Sequence, residues 1–352
     1  MSIRPIYGHQ SLLNRLGGAL ASSRFPQAAL LVGPPGVGKQ RLAVWVAQGL
    51  LCESGPKAPC GECASCHQVE RLGHPDLHWF VPIPRPKGSD PAKQVEEAGE
   101  LLGQAMAERR KEGLWQRPEG LVSHSLASVR LLHRKAWVTP FSGDRKVFVI
   151  GDAERLIVQE SSQEAANALL KVLEEPPADT TVILTAADPQ ALLPTIRSRL
   201  VAIRVQRVAD EDVRAFLREE TDLSKNETSL ERKTLLAEGC IGQAMREADE
   251  AEGPDRTATE FLDAVRDRPA TWLPLVLAQP PFAARGEFTG MLDALAVKLR
   301  RELREETGRA GEGTTKRMKA LQRVEATRMA AQGNANPQLA LAVLAEELGD
   351  LL

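Results

Sequence analysis

An α/β domain built on a parallel sheet with helices on both faces, followed by a helix-rich remainder, is the fold class that the sequence predicts. Three observations carry it. Residues 28–40 read AALLVGPPGVGKQ, an apolar run followed by a glycine-rich turn and a helix-forming stretch. Residues 147–150, VFVI, form a second continuous apolar run, as in a strand buried on both faces. Beyond residue 208, segments such as DEDVRAFLREE and GEFTGMLDALAVKLRRELREE carry helical periodicity.

The glycine-rich turn has the context of a phosphate-binding loop: a strand over Ala28–Val32, the turn, then a helix predicted from Arg41 to Leu51. Gly33, Gly36 and Gly38 allow backbone N–H groups to point at phosphate oxygens, and Lys39 is placed to reach the outer phosphates. The next residue is normally Ser or Thr, whose hydroxyl binds the magnesium ion that bridges the phosphates, and here it is Gln40.

A chain of 352 residues exceeds one ordinary core and predicts two or three domains. With 45 basic against 47 acidic side chains, bulk charge does not attract nucleic acid, so any DNA contact is expected to be local. No apolar run reaches the length of a membrane span and MSIRPIYGHQ lacks a signal-peptide core, so the expected location is cytoplasmic, with no membrane partner.

In a reducing compartment, Cys52, Cys60, Cys63 and Cys66 within LCESGPKAPCGECASCHQ read as metal ligands rather than disulfides. Four thiolates suit tetrahedral zinc and leave no open position, so the zinc is expected to be structural. His67 is adjacent and could replace one thiolate, although no fifth ligand is needed, and Cys240 reads as a small buried residue. Residues 84–123, with PIPRPKGSD and ERRKEGLWQRPEG, read as a charged insertion, part loop and part solvated helix. At the end of the second strand, where an NTPase places an acidic pair, stand Gly151 and Asp152, so only the second carboxylate remains.

Taken in order, GPPGVGK after AALLV, the four-cysteine insertion, ANALLKVLEEPP at 166–177 and ILTAADPQALLPTIRSRL at 183–200 resemble the bacterial clamp-loader branch of the AAA+ proteins. Within that branch the resemblance is to the delta-prime subunits of DNA polymerase III, strong over about the first 250 residues and weak beyond. It implies three parts: a P-loop-type AAA+ domain over 1–207 carrying the zinc module 52–66 and the insertion 84–123, a helical lid over 208–252, and a helical collar that oligomerises over 253–352. It also implies partners: gamma/tau-type and delta-type loader subunits, and through the complex the sliding clamp and primer-template DNA.

Three departures separate the sequence from the ATPase motors of that branch. Gln40 replaces the metal-binding hydroxyl, Gly151 the first Walker B carboxylate, and Gly242 the lid arginine that senses the γ-phosphate. Together they predict loss of turnover, because both direct metal ligands are missing. A loop that keeps its glycines and Lys39 leaves ATP or ADP binding without turnover open. In TIRSRL, Ser198 and Arg199 resemble the Ser-Arg-Cys motif, with Leu200 in the cysteine position, and the resemblance implies that Arg199 is an arginine finger for a neighbour's site.

In the final segment NPQLALAVLAEELGDLL, Asn336 is a cap and Pro337 a first helical residue, with Leu339, Val343 and neighbouring leucines on one face. The chain ends on that helix, which sets an expectation against the longer tau form. The reading is therefore a non-catalytic subunit of the clamp loader. Its alternatives are a gamma/tau-type ATPase in which Asp152 compensates for the losses, and a free-standing zinc protein that binds DNA, which the near-neutral charge disfavours.

Overall fold

The computed structural model describes all residues except 1–3, 56–57, 88–89, 113–121, 157–162, 222–226, 246–247, 268–270, 281–286, 306–311 and 333–334. The chain forms two compact units, residues 1–245 and residues 246–352.

In the first unit, α1 (Gln10–Ala21), β1 (Ala28–Val32), α2 (Lys39–Leu50) and α3 (Ala64–Glu70) precede β2 (Leu77–Phe80). A short antiparallel pair, β3 (Ile83–Pro84) and β4 (Val122–Ser123), flanks α4 (Pro91–Glu112). Then come α5 (Leu126–Ala136), β5 (Lys146–Ile150), α6 (Glu164–Glu174), β6 (Thr180–Ala186), α7 (Pro194–Arg197) and β7 (Val201–Arg204). The main sheet is parallel throughout, in the order β2-β5-β6-β1-β7.

The continuous apolar runs follow from burial on both faces. Leu31, Val147, Val149 and Ile183 pack with α1 and α2, whereas Leu30, Phe148, Ile150, Val182 and Leu184 pack with α4, α5 and α6. Successive residues of a strand point to opposite faces, so a sheet with helices on both sides needs apolar side chains at every position.

Two expectations change. The insertion 84–123 is not merely solvated: α4 buries Val95, Ala98 and Leu102 in the main core, and buried Arg109 lies 4.4 Å from the Trp79 ring centre. Much of ERRKEGLWQRPEG lies outside the described residues. The charged residues of the helix mask an apolar stripe, and a fully buried Val or Leu contributes about 1.5–3 kcal/mol.

The first unit ends in α8 (Asp210–Glu220), α9 (Glu227–Ala237) and α10 (Ile241–Ala244), which share a small core of Val208, Val213, Phe216, Leu217, Leu230, Ala237 and Ala244. The edge of Tyr7 packs on Phe216 at 5.3 Å. The second unit contains α11 (Ala248–Asp267), α12 (Leu273–Leu277), α13 (Glu287–Glu305), α14 (Glu312–Gln332) and α15 (Pro337–Gly349) around Phe261, Phe288, Leu292, Leu295, Leu299 and Leu344. Asn336 Oδ1 caps α15 by accepting from Leu339 N at 3.1 Å, with Pro337 at the first position. The second change is on this helix: Leu341, Leu344, Ala345 and Leu348 form its buried face, and Leu339 and Val343 are exposed.

Candidate phosphate loop and metal centre

Between β1 and α2 the loop turns at Gly36 (φ +79°) and Gly38 (φ +97°), conformations that favour glycine. At Gly33 a β-carbon would stand 2.3 Å from Val205 O, so that position also excludes a side chain. Lys39 is buried and turns back on the loop: its Nζ donates to Gly33 O at 2.8 Å and Pro34 O at 2.9 Å. Burial lowers its pKa, and the carboxylates of Glu154 and Asp152 oppose that shift.

The ends of β1 and β5 lie on either side of β6, which brings Gln40 to Asp152. Gln40 Nε2 donates to Asp152 Oδ1 at 3.2 Å, while Gln40 Oε1 is buried without a hydrogen-bond partner among the described residues. A β-carbon on Gly151 would lie 2.7 Å from Gln40 Oε1 and 2.8 Å from its Nε2. The amide thus occupies the space above Gly151. Asp152 has a left-handed backbone (φ +50°) and its N–H donates to Thr185 Oγ1 at 3.1 Å. Burial raises the Asp152 pKa, against the pull of Lys39 and Arg155. Glu154, raised by burial and by Asp152, accepts from Ala187 N at 3.2 Å. His124 Nε2 donates to Gly151 O at 2.7 Å.

The helical segment beyond residue 208 closes over the same loop. Gly242 N–H donates to Gly36 O at 2.8 Å, and a β-carbon on Gly242 would stand 2.8 Å from Gly36 Cα. Two glycines thereby bring two backbones into contact, and Gly242 leaves room for no side chain there. Cys240, fully buried, precedes α10 and packs with the core of α1 and α2.

The four cysteines gather beyond the far end of α2. The sulfurs of Cys52, Cys60, Cys63 and Cys66 all lie within 4.8 Å of one another. Cys52 Sγ is 3.5 Å from Cys60 Sγ and 4.0 Å from Cys63 Sγ, and Cys60 Sγ is 3.8 Å from Cys66 Sγ. Four ligands at a zinc–sulfur distance of about 2.3 Å in a tetrahedron stand about 3.8 Å apart, so the donor set fits a closed metal centre. All four are free thiols. Backbone N–H groups of Glu62 and Cys63 hold the Cys60 thiol down to about 6, whereas burial pushes the Cys66 thiol up. Outside the sulfurs, Gln48 Nε2 donates to Cys66 O at 3.2 Å, and Glu53 Oε1 accepts from the Ser65 amide at 3.0 Å. His67 does not join: its Nδ1 lies 3.8 Å from Glu70 Oε2.

Ser198 and Arg199 follow α7 and stand apart from the loop. Arg199 pairs with Glu174 at 2.5 Å, at the end of α6, and donates to Thr195 O at 2.7 Å. Ser198 Oγ donates to Thr195 O at 3.0 Å. The fold therefore brings Gly33, Gly36, Gly38, Lys39, Gln40, Gly151, Asp152 and Gly242 together and places Arg199 on an exposed edge. Sequence reasoning missed Thr185, Glu154 and His124, whose one signal is position: Thr185 near the end of β6, Glu154 shortly beyond β5, and His124 just after β4 of the separate pair.

Residues 8–209, more than half of the chain, match the family model described as DNA polymerase III, delta subunit. The chain belongs to that family. Compared with curated DNA polymerase III subunits, it is 34% identical to subunit delta' of Pseudomonas aeruginosa over 194 residues, covering 54% of this chain and 46% of that one. It is 28% identical to subunit delta' of Bacillus subtilis over 195 residues, 55% and 46% of the two chains. Subunit tau of Escherichia coli is 28% identical over 266 residues, 74% of this chain and 35% of that one. The matches thus span between about a third and a half of these relatives' own length. Among solved structures, a gamma subunit-related protein of Thermotoga maritima aligns over 96% of this chain and 99% of that one, at 17% identity and a TM-score of 0.45. In this member of the DNA polymerase III delta subunit family, no described helix is long and apolar enough to cross a membrane.

Proposed function

We propose that the chain is a delta-prime-type, non-catalytic subunit of the sliding-clamp loader of DNA polymerase III, working in a hetero-oligomer with gamma/tau-type and delta-type subunits. The observation that carries this reading is the self-filled loop: Lys39 is spent on Gly33 and Pro34, Gln40 covers Gly151, and Gly242 rests on Gly36. Phosphoryl transfer depends on positioned phosphates and a metal that neutralises developing charge, and Gln40 and Gly151 stand where a hydroxyl and a carboxylate would hold that metal.

The chain acts through its neighbours. Arg199, held at the surface by Glu174, is the group that reaches a γ-phosphate in an adjacent motor subunit, an effect worth about 10³–10⁵-fold in related enzymes. Its planar fork suits two phosphate oxygens at once. Residues 208–252 serve as the lid and 253–352 as the collar, where exposed Leu339 and Val343 supply apolar contact. Cys52, Cys60, Cys63 and Cys66 hold a structural zinc, which braces the loops beyond α2 and carries out no chemistry.

A gamma/tau-type motor is the second reading, favoured by the similarity to subunit tau over 74% of the chain and by the survival of Lys39 and Asp152. Reconstitution decides between them. With Arg199→Ala in an assembled loader, DNA-stimulated ATPase falls partly and clamp loading falls further, Arg199→Lys rescues little, and the isolated wild-type chain hydrolyses no ATP. Turnover by the isolated chain would establish the motor reading, and wild-type rates with Arg199→Ala would remove the finger.

A further inference from the structure

Among the described residues of the first unit, the exposed aromatic side chains have no part in the loop, the metal centre or the finger. Between α5 and β5, Trp137, Val138 and Phe141 are 58%, 59% and 85% exposed. Exposed apolar side chains are ordinary singly, but three within five residues form a patch, and such patches mark contact sites.

This patch is held rigidly from beneath by two buried charges. Asp76, 2% exposed, accepts from Phe141 N at 2.6 Å through Oδ1 and from Ser142 N at 2.7 Å through Oδ2. Lys146, also 2% exposed, donates from Nζ to Ala136 O at 2.8 Å and to Val138 O, and pairs with Asp179 at 3.3 Å. Burying charges is unfavourable unless every one is satisfied, and here both are satisfied by the backbone of a surface tip. The tip contributes little apolar burial to the fold in return. Preorganisation of this kind lowers the ordering entropy lost on association, so it favours binding rather than folding.

Charge identifies the partner. Helical spacing puts Arg130, His133, Arg134 and Trp137 on one exposed face of α5, and Lys135 is exposed beside them. Among the described residues, Arg130, Arg134 and Lys135 have no acidic partner. We propose that Trp137, Val138 and Phe141 form a docking tip for a second protein, one that presents an apolar pocket rimmed by carboxylates. Aromatic anchors fill the pocket, and the basic rim steers approach and fixes orientation. A single strand of nucleic acid fits less well, because Val138 offers no ring face for a base.

The proposal rests on the clamp-loader reading only for its choice of probes. The full chain carrying a benzoylphenylalanine photo-crosslinker in place of Phe141 is mixed in turn with a purified gamma/tau-type subunit, a delta-type subunit, the sliding clamp and a single-stranded oligonucleotide. Expected is a crosslink to one of the proteins. Its affinity falls tenfold or more with Trp137→Ser/Phe141→Ser, as for anchor residues, and its association slows and loses salt dependence with Arg134→Glu/Lys135→Glu. Circular dichroism and metal content of these surface variants match the wild type. Crosslinking to none of the proteins, crosslinking to the oligonucleotide, or unchanged affinity of the double serine variant each overturns the docking site. Assembly is read separately by size: a chain that joins no loader subunit refutes the clamp-loader reading, whereas assembly without a crosslink refutes the tip alone.

Discussion

The side-chain amide of Gln40 lies over Gly151, where a β-carbon would come within 2.7 Å of Oε1. Two residues that the sequence marks as separate features therefore occupy one volume. Restoring a carboxylate with Gly151→Asp alone forces the amide aside and destabilises the first unit by about 1–3 kcal/mol. In a Gln40→Thr background the same change is tolerated better, with a coupling of about 1 kcal/mol or more in a double-mutant cycle. Urea denaturation of the four chains measures it, and strictly additive losses would mean that the two positions do not share the space.

Gly242 makes the second close approach. With its β-carbon only 2.8 Å from Gly36 Cα, Gly242→Ala pushes α10 away from the loop and weakens the Gly242–Gly36 hydrogen bond. Amide exchange at 36–38 and 240–244 should quicken while the second unit keeps its protection. Unchanged exchange at both segments would show that the contact is not maintained in solution.

The metal centre predicts about one zinc per chain in protein kept reduced, because the sulfur spacing suits a closed tetrahedral site. Cys63→Ser, or a strong chelator, lowers the melting temperature and loosens residues 52–66 while Arg199 and its Glu174 partner stay in place. Elemental analysis finding no metal would refute the site.

Acid weakens the first unit through its buried histidines. Burial depresses His124 from 6.5 to about 4, and His78 likewise to about 4. Between those values the unfolded chain takes up protons that the folded chain refuses. Stability from this source is complete above pH 6.5, falls as the pH drops toward 4, and levels off below. For fully buried His124 the loss is about 3 kcal/mol. Asp152 and Glu154, shifted upward by burial, act in the opposite sense. The difference between wild type and His124→Gln therefore isolates the histidine: His124→Gln loses less stability from pH 7 to pH 4.5, and parallel curves would contradict the assignment.

The sheet was legible because burial on both faces leaves continuous apolar runs, as at Ala28–Val32 and Val147–Ile150, and the cysteine cluster because ligand spacing is short-range. What the sequence hid depends on three-dimensional proximity. Gln40 and Gly151 are far apart along the chain, so their shared volume is invisible until β6 brings β1 and β5 together. The α4 stripe was masked by the charged residues around Val95 and Leu102, and the exposure of Leu339 and Val343 turned on which of two apolar faces of α15 met the core. The tip at Trp137–Phe141 carries no mark in the sequence, because Asp76 and Lys146, which hold its backbone, lie in other parts of the chain.

Lys39 has a consequence of its own. Its two bonds to Gly33 and Pro34 carbonyls join the start of α2 to the end of β1 as an internal brace. A polyphosphate that drew the ammonium off those carbonyls would release this brace, and the bond from Gly242 N–H to Gly36 O ties α10 to the same loop. Wherever phosphate binding and movement of α10 are linked, the linkage is reciprocal: a contact that draws α10 outward would change the loop's affinity for phosphate by the factor with which phosphate shifts α10. The loop and α10 then answer to one another rather than acting as separate parts.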